Sequence, residues 1–131
     1  ICQENTRTLV LMARIARRVC RTMTNVNPNT YRKLYEREAA FLRYPADWIL
    51  RFQNMYLKDR LPSPATILDF GCGSGNNSVP FLKDGHKVHG IDVSAAAIQL
   101  VKKNLSFHSL PENLIENFRH QEPPLTKLPY D

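Results

Sequence analysis

The apolar positions along the chain change period from one segment to the next. Between residues 7 and 23 they recur at helical spacing. Leu9, Met12, Ala16, Val19 and Met23 lie opposite Arg7, Arg14, Arg17, Arg18 and Arg21, which share an arc of about 100°. The polar, turn-forming stretch 24–30 follows and reads as a linker. Helical spacing resumes over 31–42 and breaks at Arg43-Tyr44-Pro45. It returns over 46–59, with Trp48, Phe52, Met55 and Tyr56 at helical intervals. Leu61-Pro62-Ser63-Pro64 closes that stretch, because proline cannot donate to a helix and disfavours a helical predecessor.

From residue 66 onward the pattern alternates. Thr66-Ile67-Leu68-Asp69-Phe70 is rich in strand formers and runs into a glycine-rich turn. A helix is predicted over 76–84, ended by Gly85 as a C-cap, and Pro80 is compatible with it only near its first turn. Lys87-Val88-His89-Gly90-Ile91 is a second strand. Ser94 then caps a helix whose Ile98, Val101 and Leu105 share a face. A weaker third strand is expected around 114–121. Strand, helix, strand, helix, strand predicts an α/β fold whose parallel sheet carries helices on both faces. An arm and linker over 1–30 would precede one domain over 31–131. Three parallel strands leave an edge and a face uncovered, so the domain is expected to be truncated after the third strand.

Composition narrows the classes. With 43% hydrophobic and 23% charged residues the chain matches a soluble globular domain. It has no run of about 18 apolar residues, so no membrane-spanning helix is expected. The net charge of +6 could suggest a nucleic-acid partner. Most of it resides in residues 1–22, where five Arg face a single Glu; the remainder is nearly balanced, and no nucleic-acid face is expected. That Arg-rich arm is compatible with organellar targeting, a membrane-surface helix, an accessory helix, or sequence upstream of a start at Met23. Cys2, Cys20 and Cys72 are too scattered for a disulfide framework or a zinc site, which favours a reducing, cytoplasmic setting. His86, His89, His108 and His120 lack metal-ligand spacing, and no metal is expected. Lys102-Lys103 reads as a solvated helix face.

The chemistry is concentrated in Asp69-Phe70-Gly71-Cys72-Gly73-Ser74-Gly75. Glycines at alternate positions let the chain turn sharply off a strand and let a ligand approach the backbone. A helix opening from the turn would offer free N–H groups to an anion. Further on, Asp92 ends the second strand, where a carboxylate can accept from both hydroxyls of a ribose. Dinucleotide-binding turns use Gly-x-Gly-x-x-Gly, whereas here the third glycine comes one residue sooner and Asn76 follows. Asp69 would repel a pyrophosphate but suits a ligand bearing an ammonium and a sulfonium. S-adenosylmethionine carries both and has no phosphate.

Asp69-x-Gly71-x-Gly73-x-Gly75, preceded by Ile67-Leu68, resembles motif I of the class I (Rossmann-like) methyltransferases, and His89-Gly90-Ile91-Asp92-Val93-Ser94 resembles their second motif. The likeness covers about residues 31–131. It implies an S-adenosylmethionine-dependent methyltransferase whose loop backbone, Phe70 through Gly75 with Cys72 and Ser74 between the glycines, wraps the methionine moiety. Asp69 would lie near the amino group, directly or through water. Asp92 would hold the ribose and Val93 would pack on adenine. Arg43-Tyr44-Pro45 resembles a segment that closes over the donor, and equally an ordinary helix break. After the third strand the sequence departs from the family pattern. Pro123-Pro124 stands where an adenine-binding acid is usual, ahead of Leu128-Pro129-Tyr130, so Glu122, beside Gln121, is the nearest candidate. Cys72 reads as a small loop residue and not as a nucleophile. No catalytic residue or oligomeric state can be assigned. The balanced charge of 23–131 favours a small-molecule acceptor; the rival reading is a non-catalytic methyltransferase-like binding or regulatory module.

Overall fold

The structure, a computed structural model, describes residues 28–122. The Arg-rich segment 7–23, Pro123-Pro124 and Leu128-Pro129-Tyr130 lie outside the described residues. The aliphatic runs form β1 (Thr66–Phe70), β2 (Lys87–Asp92) and β3 (Phe118–His120), bonded in the order β1-β2-β3 with both pairs parallel. Asp69 lies beside Gly90, and Gly90 beside Phe118. Side chains alternate along a strand and paired neighbours share a face, so Ile67, Asp69, Val88 and Phe118 point to one side. That side carries the core: Ile67, Val88 and Phe118 cluster with Ile49, Phe81, Val101 and Leu105 from the helices. The described helices that reach this core cover one face of the sheet. On the other face Leu68 and Ile91 are also withdrawn from solvent, at 3% and 2% exposure.

Several elements differ from the pattern-based expectation, each for a local reason. Helix α1 (Pro28–Glu36) begins inside the expected linker, on a proline already fixed at a helical φ. It ends early, and Glu38 adopts a positive φ of 55°. Helix α2 (Asp47–Phe52) continues into a π-helical turn, Gln53–Leu57. The wider turn keeps Leu57 beneath Gln53 and Ile49, and those three are buried. Trp48, Met55 and Tyr56 therefore face outward, at 47%, 69% and 51% exposure.

Helix α3 (Val79–Lys83) starts three residues later than expected for 76–84, which leaves Pro80 in its first turn, where no intrahelical donor is lost. Helix α4 (Ala95–Phe107) follows the pattern closely: Ser94 accepts from the Ala97 N–H at 3.2 Å and caps it. The third strand is shorter than 114–121. Glu112–Asn117 winds as a 3-10 turn that lets the consecutive Leu114 and Ile115 both reach the core.

Gly90 is the position where β3 depends on a missing side chain. A Cβ there would overlap the Phe118 ring and stand 3.0 Å from the Cys72 Sγ. Phe118 is 5% exposed and cannot move without opening the core. Gly90→Ala should therefore destabilise the fold by about 1–3 kcal/mol, the usual range for overpacking. Urea unfolding of the variant against the parent chain measures this directly.

Candidate cofactor-binding site

The turn after β1 is shaped by glycine where the backbone demands it. Gly71, Gly73 and Gly75 have φ of 76°, 54° and 74°, a region that other L-residues enter only with strain. The Gly71 and Cys72 N–H groups both donate to the Ile91 carbonyl, at 2.8 and 3.1 Å, tying the start of the turn to β2. Gly75 packs against Val101 and Phe118. The chain then passes through further turns before α3 begins at Val79, so no helix N-terminus opens directly from Gly75 as the sequence had suggested.

The decisive contact lies between residues far apart in sequence. The Gly73 N–H donates to Asp92 Oδ2 at 2.8 Å, and the Ser94 N–H donates to Asp92 Oδ1 at 2.8 Å. Each carboxylate oxygen keeps a second lone pair. The two amides hold the Asp92 side chain in one orientation while leaving it able to accept further bonds. Val93, half-buried, follows it directly. The Gln121 N–H donates to the Asp92 carbonyl at 2.9 Å, which brings Glu122 to the same end of the sheet. There Glu122 is exposed and pairs with Arg32 of α1 at 2.5 Å, with His120 Nε2 3.3 Å away.

Asp69 lies deep beneath the turn. It is 5% exposed, and its Oδ2 accepts from the Ser78 hydroxyl at 2.6 Å. It also borders a small, mainly apolar cavity shared with Ile49, Asn77 and Phe81. Burial raises its carboxyl above the usual range, the Ser78 hydroxyl opposes that, and the nearby Asp92 adds to it. Phe70, at the strand end, is 42% exposed. Cys72 is buried in the core, and burial followed by Asp69 and Asp92 pushes its thiol up, so it carries no thiolate at neutral pH. Ser74 is buried and donates its hydroxyl to the Leu42 carbonyl at 3.1 Å.

Two features escaped the sequence reading. Tyr35 of α1 stands over Gly73, so close that a Cβ on Gly73 would overlap its hydroxyl. Its pKa is raised to about 12, by burial first and then by Asp92, Cys72, Tyr31 and Asp69. Arg32 and Tyr35, spaced i, i+3, are the half-buried positions that turn α1 toward the sheet; that spacing was the available signal. Arg43-Tyr44-Pro45 contacts Asn76 after the turn and the C-terminal end of α4. The Arg43 guanidinium lies 5.7 Å from the Phe41 ring centroid and 4.9 Å from that of Phe107, the Arg43 carbonyl meets His108 Nε2, and the Tyr44 carbonyl accepts from Asn76 Nδ2 at 3.0 Å.

A parallel β-α-β-α-β unit with this turn and this acid is matched over residues 34–131 by the family model for a methyltransferase domain. The chain belongs to that methyltransferase-domain family. No curated protein matches it significantly. Among the described residues no helix is long and apolar enough to cross a membrane, and no three His, Cys, Asp or Glu side chains converge to hold a metal ion.

The buried Asp69 has a measurable consequence. Its folded-state pKa lies above its unfolded value, so the ionised carboxylate opposes folding at neutral pH, while below the unfolded value both states are protonated and no penalty remains. Asp69→Asn should raise the melting temperature at pH 7 by a few degrees. The gain should shrink as the pH falls toward 4, as thermal melts across that range would record.

Proposed function

We propose that the protein is an S-adenosylmethionine-dependent methyltransferase acting on a small-molecule acceptor. The single observation that carries the donor assignment is the Gly73 N–H to Asp92 hydrogen bond. In a phosphate-binding turn the amides face the anion. Here Gly73 directs its amide to a carboxylate, α3 starts too late to aim its N-terminus at the turn, and a second carboxylate, Asp69, lies below. Such a site disfavours a pyrophosphate and favours a cationic ligand with a ribose.

On this reading Asp92, held by the Gly73 and Ser94 amides, accepts from the ribose hydroxyls, and Val93 flanks the adenine. The backbone of Gly71 to Gly75 borders the methionine moiety. Tyr35 keeps its proton and presents a hydroxyl donor beside Gly73. Glu122 is available to adenine once it parts from Arg32, an exposed pair of small energetic weight. When bound, the donor supplies a sulfonium methyl open to in-line displacement, and the protein's contribution is chiefly to position the acceptor against it. The near-neutral balance of residues 23–131 supports a small acceptor over a nucleic acid.

The reading is tested by calorimetry with S-adenosylhomocysteine and NAD. The chain should bind S-adenosylhomocysteine and show no heat with NAD; tighter binding of NAD would sink the assignment. Asp92→Ala removes an acceptor of two charge-assisted hydrogen bonds, each worth about 1.5–3 kcal/mol. Affinity for S-adenosylhomocysteine should drop at least tenfold, by about 1.4 kcal/mol or more. An Asp92→Ala protein that binds as tightly as the parent would place the ribose elsewhere.

A further inference from the structure

We propose that Asn104, in the last turn of α4, is a positioning residue for the methionine half of the donor site, acting through the Ser74 carbonyl. The proposal rests on the donor assignment above. Asn104 is 1% exposed, and its Nδ2 donates to the Ser74 carbonyl and the Leu42 carbonyl, each at 2.8 Å. The Ser74 hydroxyl donates to the same Leu42 carbonyl. Asn104, Ser74 and Leu42 thus form a closed hydrogen-bonded triangle behind the glycine turn.

The neighbouring main chain is held in the same way. Asn76 Nδ2 donates to the Tyr44 carbonyl at 3.0 Å, and Asn77 Oδ1 accepts from the Ala46 N–H at 3.0 Å. His108 Nε2 contacts the Arg43 carbonyl. Residues 42–46 belong to no helix or strand, and side chains of the turn and of α4 replace the backbone partners they would otherwise need. The turn is therefore fixed at two points. Ile91 and Asp92 hold Gly71 to Gly73 on the ribose side, and Asn104 holds Ser74 on the other.

Packing alone gives a weak reason for an asparagine here. Its Oδ1 is buried without a hydrogen-bond partner, an uncompensated acceptor in the core. A leucine of similar shape would fill the space and remove that acceptor, but it would leave the Ser74 carbonyl without its donor. What asparagine adds is control over where that carbonyl, and with it the backbone of Gly73 to Gly75, sits.

The two anchors predict that Asn104 affects one half of the ligand. Adenosine contains the part assigned to Asp92 and Val93; S-adenosylhomocysteine adds the amino-acid moiety. Asn104→Leu should weaken S-adenosylhomocysteine about tenfold and change adenosine by less than about twofold, as expected when a buried carbonyl loses its donor. Ser74→Ala, which removes the other bond to Leu42 and leaves the α4 core intact, should shift the same ratio in the same direction, more weakly. Calorimetry with both ligands on the parent and both variants, alongside melting temperatures, decides the matter. Equal losses for both ligands, or none in a folded variant, would overturn the proposal and leave Asn104 a core residue. If Asn104→Leu does not fold, an unchanged ligand ratio in Ser74→Ala overturns it equally. A parent chain that binds adenosine but gains nothing from the amino-acid moiety would remove the donor assignment itself, and the proposal with it.

Discussion

The bond between the Gly73 amide and the Asp92 carboxylate is the constraint on which the rest of the site depends. It joins the turn after β1 to the end of β2, at a glycine whose positive φ a residue with a side chain would adopt only with strain. Parallel pairing of β1 and β2 brings both strand ends to the same edge, so the fold supplies the proximity. The Ser94 amide, which also begins the cap of α4, fixes the other carboxylate oxygen. One side chain thus ties together a strand end, a turn and a helix start.

Much of this half of the fold was legible in the sequence because local chemistry dictated it. The glycines at 71, 73 and 75 all adopt positive φ, Ser94 caps α4, and Val101 and Leu105 are buried as their spacing implied. Where the reading failed, a longer-range demand prevailed. Of Trp48, Phe52, Met55 and Tyr56, set at helical intervals, only Phe52 packs against the core, because the π-helical turn buries Ile49, Gln53 and Leu57, with Gln53 bonded to Asp84. The third strand was overestimated because Leu114 and Ile115 are apolar neighbours that a 3-10 turn buries better than an alternating strand could.

The site was legible as a list of residues but not as an arrangement. Asp69 and Asp92 were both visible as acids at strand ends. That one is sealed under the turn against Ser78 while the other is held at its rim depends on register and packing, which no motif spacing encodes. Tyr35, Asn104 and Arg32 lie on helices whose own periodicity says only which way they face. Their partners, Gly73, Ser74 and Glu122, are remote in sequence and become neighbours only once α1 and α4 have packed.

Helix α1 lies across the edge of the sheet where the strands end, and the strength of its attachments is uneven. Arg32 and Lys103 tie it down through Glu122 and Glu38, both pairs half-exposed to solvent, where such bonds contribute little and are weakened by salt. Tyr35 and the stem of Arg32 reach inward, and the helix packs along α4. Its attachment thus combines outer charge pairs that salt screens with inner contacts that it does not. Added salt therefore loosens the outer attachments of α1, while the turn beneath it, pinned by buried bonds to Asp92 on one side and Asn104 on the other, is shielded from that screening.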